Sequence, residues 1–96
     1  MLGEKEIRAK IVGNDVTDEA HWSMYYRRDG SLLISDMGKR RTGAWKIERN
    51  KLCFSQDKRD PLDCYEVWVS GSRVNFRERA DDTHGLFAVI ESHQGD

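Results

Sequence analysis

Few side chains in this chain have the types and spacing that chemistry needs. It has two cysteines, Cys53 and Cys64, and three histidines, His21, His84 and His93. The histidines lie far apart, and no pair has H-x-x-x-H spacing. C-x-x-C is also absent, so a metal site lacks its usual ligand pattern. No serine sits in a G-x-S-x-G elbow: Gly71-Ser72 reads as a turn. Gly13, Gly30, Gly38, Gly43, Gly71 and Gly85 are scattered singly at element ends, where turns need them, and form no phosphate-cradling loop. The reading is therefore no enzyme, no cofactor and no metal. An enzyme built on the His84 turn is the weakest alternative.

Basic residues offer a second kind of chemistry. Lys39, Arg40 and Arg41 run together, and Lys58 and Arg59 form a second pair. If the strands run up and down, both groups fall at one end of the sheet. Arg27, Arg28, Arg49 and Arg73 gather at the other. Either end suits an acidic partner or a phosphate. The simpler reading is solvated loops neutralised by Asp57, Asp60, Asp81 and Asp82. Trp68 is the one large apolar side chain expected on the outer face. It is a candidate anchor for a partner or a second copy. The alternative is that it packs over the cysteine pair or under the N-terminal helix.

These residues need a scaffold, and residues 43–77 supply most of it. Glu48-Arg49-Asn50-Lys51 predicts a two-residue hairpin loop, with Asn tolerant of positive φ. That turn sets Ile47 opposite Leu52 and Trp45 opposite Phe54. The next hairpin places Cys53 opposite Cys64 and Leu52 opposite Tyr65. Ser70-Gly71-Ser72-Arg73 predicts a type II′ turn, with Val69 opposite Val74 and Val67 opposite Phe76. One face of this four-strand meander then carries Trp45, Ile47, Leu52, Phe54, Tyr65, Val67, Val69, Val74 and Phe76. Period-2 alternation of that kind marks a half-buried antiparallel sheet. The other face carries a charge row of alternating sign, Glu48, Lys51, Glu66 and Arg77. A one-residue slip breaks both patterns. Directly facing positions bring Cys53 and Cys64 near disulfide range. Two facing cysteines favour an oxidising compartment, with two reduced thiols in a cytosolic sheet as the alternative.

The rest of the chain flanks this meander. Residues 3–12 predict a short helix, with acids first, Lys10 last and Ile7 and Ile11 on one face. Gly13-Asn14 ends it. Asp15 to Glu19 is polar and reads as a loop. Residues 21–26 read as a strand, and Arg28-Asp29-Gly30-Ser31 as a type I′ hairpin setting Tyr26 opposite Leu33 and Tyr25 opposite Ile34. Asp36 to Thr42 reads as a loop. The meander continues to about Ala80, and Asp81 to Gly85 is a turn. Leu86 to Ile90 is a last strand, and Glu91 to Asp96 a polar tail.

At 96 residues, 38% hydrophobic and 34% charged, the chain is one domain, 1–96, with a thin core. Net charge of −1 gives no field toward nucleic acid or membrane. Its aromatics sit on core faces, not among the basic residues, which argues further against nucleic acid. No run approaches the roughly 18 apolar residues of a membrane span. Met1-Leu2-Gly3-Glu4 shows no signal peptide. The chain is either cytoplasmic or a mature exported form with a start Met, and the cysteines favour the second.

The residues Tyr25-Tyr26-Arg27-Arg28-Asp29-Gly30, Gly43-Ala44-Trp45-Lys46-Ile47, Leu52-Cys53-Phe54, Cys64-Tyr65-Glu66-Val67 and Gly71 form a pattern, Y-x-x-D-G … G-x-W-x-I-x-x-x-x-L-C-F … C-Y-x-V … G. It resembles a group of small proteobacterial, secreted or periplasmic, lipocalin-like β domains of unknown function. The helix and Gly13-Asn14 resemble that group's lead-in. The resemblance implies a paired Cys53–Cys64 and export, and transfers no catalytic residue. The basic run Lys39-Arg40-Arg41 departs from the neutral loop expected there.

The combined expectation is a mainly β chain. It is an up-and-down antiparallel meander of about seven strands curling toward a small lipocalin-like barrel, with one N-terminal helix. Its expected function is a non-catalytic binding module for a protein or anionic partner, using the basic ends. A barrel carrier of a small apolar ligand is the alternative, and homodimerisation through Trp68 is a further candidate.

Overall fold

The computed structural model describes residues 1–78 and 85–93. His84 and most of the expected 81–85 turn lie outside the described residues. Among them, one helix, α1 (Glu4–Lys10), precedes eight strands: β1 (Asn14–Thr17), β2 (Trp22–Tyr26), β3 (Ser31–Asp36), β4 (Lys39–Glu48), β5 (Lys51–Ser55), β6 (Asp63–Ser70), β7 (Arg73–Arg77) and β8 (Leu86–Ser92). Each strand pairs antiparallel with the next, and β8 pairs with β1 to close a barrel.

The central registers are those the turns predict. Arg49 and Asn50 both take positive φ, 52° and 61°, which makes the β4–β5 loop a type I′ turn. Pairs Trp45–Phe54, Ile47–Leu52, Cys53–Cys64, Val67–Phe76 and Val69–Val74 all form. The Sγ atoms of Cys53 and Cys64 are bonded at 2.05 Å. Cys53 is buried and Cys64 exposed. The outer charge row takes the expected register, with Glu48 facing Lys51 and Glu66 facing Arg77. Glu48, however, takes its ion pair along the strand from Lys46, at 3.1 Å.

Three local expectations are corrected. Residues 14–17 are a strand, not loop. Only Val16 is buried and apolar there, but both edges are satisfied, by β2 and by β8. Residues 36–42 are not a loop either. Met37 and Gly38 make a two-residue turn with positive φ, and Lys39-Arg40-Arg41 opens β4. The first hairpin is shifted by one. Arg27 pairs with Ser31 around a three-residue loop, and only Gly30 takes positive φ (92°). Asp29 stays out of the left-handed region and accepts the Ser31 N–H at 2.9 Å. Tyr26 therefore faces Leu32 and Tyr25 faces Leu33.

β4 is long because it serves two neighbours in turn. Its first half pairs with β3, and its second half pairs with β5. Gly43 stands where the two pairings meet, and a Cβ there would clash with the Ser55 carbonyl oxygen. Only glycine permits that approach.

Side chains fill the barrel. Tyr26, Trp45, Phe54, Tyr65 and Phe76 form a chain of ring contacts, with centroids 5.3–6.4 Å apart. Aromatic pairs at such distances add about 0.5–1.5 kcal/mol each beyond their burial. The helix closes one end of the barrel, burying Ile7 and Ile11 completely. It is tied there by Leu2 N–H to the Val67 carbonyl (2.8 Å) and Glu4 N–H to Asn50 Oδ1 (2.9 Å). A seven-residue helix is too short to persist alone, so this docking is what stabilises it.

Candidate functional site

Strand alternation decides what the β2–β3–β4 face presents. Met24, Tyr26, Leu32 and Ile34 point inward and are buried. Their neighbours in sequence must point out. The register places Tyr25, Leu33 and Thr42 in one outward row. Ser23, Ser35 and Arg40 form the next. Two adjacent serines between larger residues leave a depression on an otherwise convex barrel. A trough of about 460 Å³ is lined by both rows.

One flank of the trough is set by contacts from across the barrel seam. His93, just beyond β8, stacks on the Tyr25 ring with centroids 3.6 Å apart and planes 1° from parallel. Its Nδ1 is 2.9 Å from Asp15 Oδ1. The residues expected as a polar tail thus begin as the end of β8 and then hold the face of β2. An Asp–His pair is the base and orienting carboxylate of a catalytic triad; here the His93 ring also walls the trough through its stack on Tyr25.

A second depression, about 390 Å³, adjoins the first and shares Ser23 and Ser35 with it. Its rim is the 18–21 loop. Asp18 Oδ1 accepts the N–H groups of Ala20, His21 and Trp22 at 2.8–3.0 Å. These bonds, that from Trp22 most of all, hold its carboxyl well below the usual range. Glu19 and Glu91 also meet there. A hydrogen bond with Glu19, then burial, then the charges of Glu19 and Asp15 raise the Glu91 carboxyl. Among the described residues, no group of three or more His, Cys, Asp or Glu is placed to hold a metal ion.

The expected basic residues do share one end of the barrel, but their charges are committed unequally. Arg41 donates to Asp36 Oδ2 at 3.3 Å. Arg59 grips Asp57 through Nη2 at 2.9 Å and Nε at 3.2 Å. The Arg59 hydrogen bonds, with a smaller contribution from Arg41, pull Asp57 down to about 2. Arg41 therefore lies within electrostatic reach of the 56–62 connection, as the up-and-down path requires. Lys39 and Lys58 are exposed at the rim. Of the five, Arg40 and Arg41 line the serine trough. Arg41 is paired with Asp36, whereas no ion pair is formed by Arg40 among the described residues.

Trp68 is half-buried and already engaged. Its Nε1–H donates to Glu66 Oε1 at 3.2 Å, and the Arg77 guanidinium sits 4.3 Å from the ring centroid. Arg77 Nε in turn donates to Asn75 Oδ1. Phe87, two strands away on the same outer row, is 66% exposed. Sequence reading passed over it because β8 reads as apolar on both sides. The trough was missed too. Its one hint was the spacing Ser23-x-Tyr25 beside Leu33-x-Ser35.

Compared with known proteins, the chain matches no protein-family model, no curated protein and no solved structure.

Proposed function

We propose that the chain is a small non-catalytic binding module that receives an anionic group at Arg40. One observation carries the reading: an exposed guanidinium, outside any ion pair among the described residues, stands beside two serine hydroxyls in a trough. Guanidinium forks and hydroxyls are the donors that carboxylates and phosphates take. Lys39 adds charge nearby, whereas Arg41 and Arg59 are offset by Asp36 and Asp57. The carrier reading has less support, because the barrel interior is occupied by its own aromatic rings. Trp68 as an interface also has less support, since Arg77 and Glu66 engage it. The Cys53–Cys64 bond favours a periplasmic or secreted setting over the cytoplasm. The lipocalin-like relationship remains a proposal of the same kind, because unrelated families share eight-stranded barrels.

The test is a titration of isotope-labelled protein with inorganic phosphate, followed by amide shifts. Shifts should centre on residues 23–25, 33–35 and 40–42, vanish in Arg40→Gln and persist in Arg59→Gln. Shifts that persist in Arg40→Gln, or that centre on residues 57–60, overturn the assignment.

A further inference from the structure

The trough has an apolar wall as well as a cationic end. Leu33 lies directly between Tyr25 and Thr42 and is 38% exposed. The Tyr25 ring is held in place by the His93 stack, so the wall does not have to be ordered on binding. From β2 to β4 the floor spans about 10 Å, two strand spacings. That width accommodates one flat ring and a carboxylate. The two charged ends orient such a molecule. Asp15 stands at the β1 flank and repels an anion, and Arg40 stands at the β4 flank and attracts one.

Resting on the anion reading above, we infer that this site takes a small aromatic carboxylate. The ring lies against Leu33 and Tyr25, and the carboxylate is held by Arg40 with the hydroxyls of Ser35 and Thr42 in reach. Bare phosphate or acetate uses only half of that surface. Burying one ring face against a preformed apolar wall strengthens binding by about tenfold.

The experiment compares benzoate, acetate and benzamide by amide-shift titration. It uses the intact protein, Arg40→Gln, Leu33→Ser and Ser35→Leu. Leu33 and Ser35 are both on the outer face, in the two neighbouring rows that line the trough, so the substitutions probe its apolar row and its serine row separately. The expected result is benzoate binding about tenfold tighter than acetate. Benzamide and the Arg40→Gln variant should each lose that affinity. Leu33→Ser should bring benzoate down to acetate, and Ser35→Leu should block both. If benzoate and acetate bind alike and both need Arg40, the aromatic inference is overturned while the anion reading stands. If benzoate and benzamide bind alike regardless of Arg40, both readings are overturned. Both also fall if none of the three shifts any trough resonance.

Discussion

The barrel is held together differently on its two sides. From the second half of β4 through β7, apolar pairs face inward on every strand, and a disulfide joins β5 to β6. From β8 through β1 to β3, the inner face is also apolar, but the outer face depends on polar side chains. Asp18 ties the 18–21 loop, His93 reaches Asp15, and Glu91 shares a hydrogen bond with Glu19. The stapled side has its outer surface committed to itself, as Trp68 with Arg77 and Glu66 illustrates. The polar side leaves a trough. A covalent cross-link and dense rings suit a scaffold, whereas adjustable polar contacts suit a surface that must accept something else.

The two sides meet at Phe54, which touches Tyr26 of β2, Tyr65 of β6 and Phe76 of β7. Phe54→Ala should therefore have the largest effect, a loss of about 3–5 kcal/mol in urea unfolding. A loss below 1 kcal/mol would mean the sides do not share one core, which would break the comparison.

Removing the staple comes next. The bridge spans a sequence separation of 11, for which loop-closure entropy gives about 2–3 kcal/mol. Cys53→Ala with Cys64→Ala should lower the unfolding free energy by that amount and leave the amide shifts of residues 23–25 and 40–42 in place. Changes spreading to those residues would show that the trough leans on the staple. Intact mass after thiol alkylation should show no modification until reductant is added.

The smallest effect sharpens the polar side. Glu91 has its carboxyl raised in the folded chain, so the folded state holds that proton more tightly than the unfolded one. Its contribution is complete below the ordinary carboxylate range and is lost as pH rises through the raised value. Gln mimics the protonated form. Glu91→Gln should raise the thermal midpoint near neutral pH, with the gain vanishing in acid. An equal gain at both pH values would assign the effect to something other than the carboxyl pair.

Much of the stapled side is legible in the chain itself. Asn50 and Gly71 mark turns, and apolar residues alternate on either side of them, so two independent signals agree on one register. The polar side lacks that redundancy. Asp29-Gly30 permits both a two-residue and a three-residue loop, and the choice moved Tyr25 opposite Leu33. Met37-Gly38 carried a weaker turn signal than the charges that follow it. The basic cluster was legible as composition, but its reduction to Arg40 depends on which arginine finds Asp36 or Asp57.

Local chemistry alone therefore determined the strands of the meander, the facing cysteines and the helix with its one apolar stripe. These follow from turn preference and side-chain periodicity, which act over a few residues. Only the tertiary structure decided that Asn14–Thr17 is a strand, because its stability comes from β2 on one edge and β8 on the other. Closure also brought His93 to Asp15, 78 residues earlier, and so built the flank of the trough. Contacts at that separation are set by how the whole sheet curls, and no short stretch of sequence contains that information.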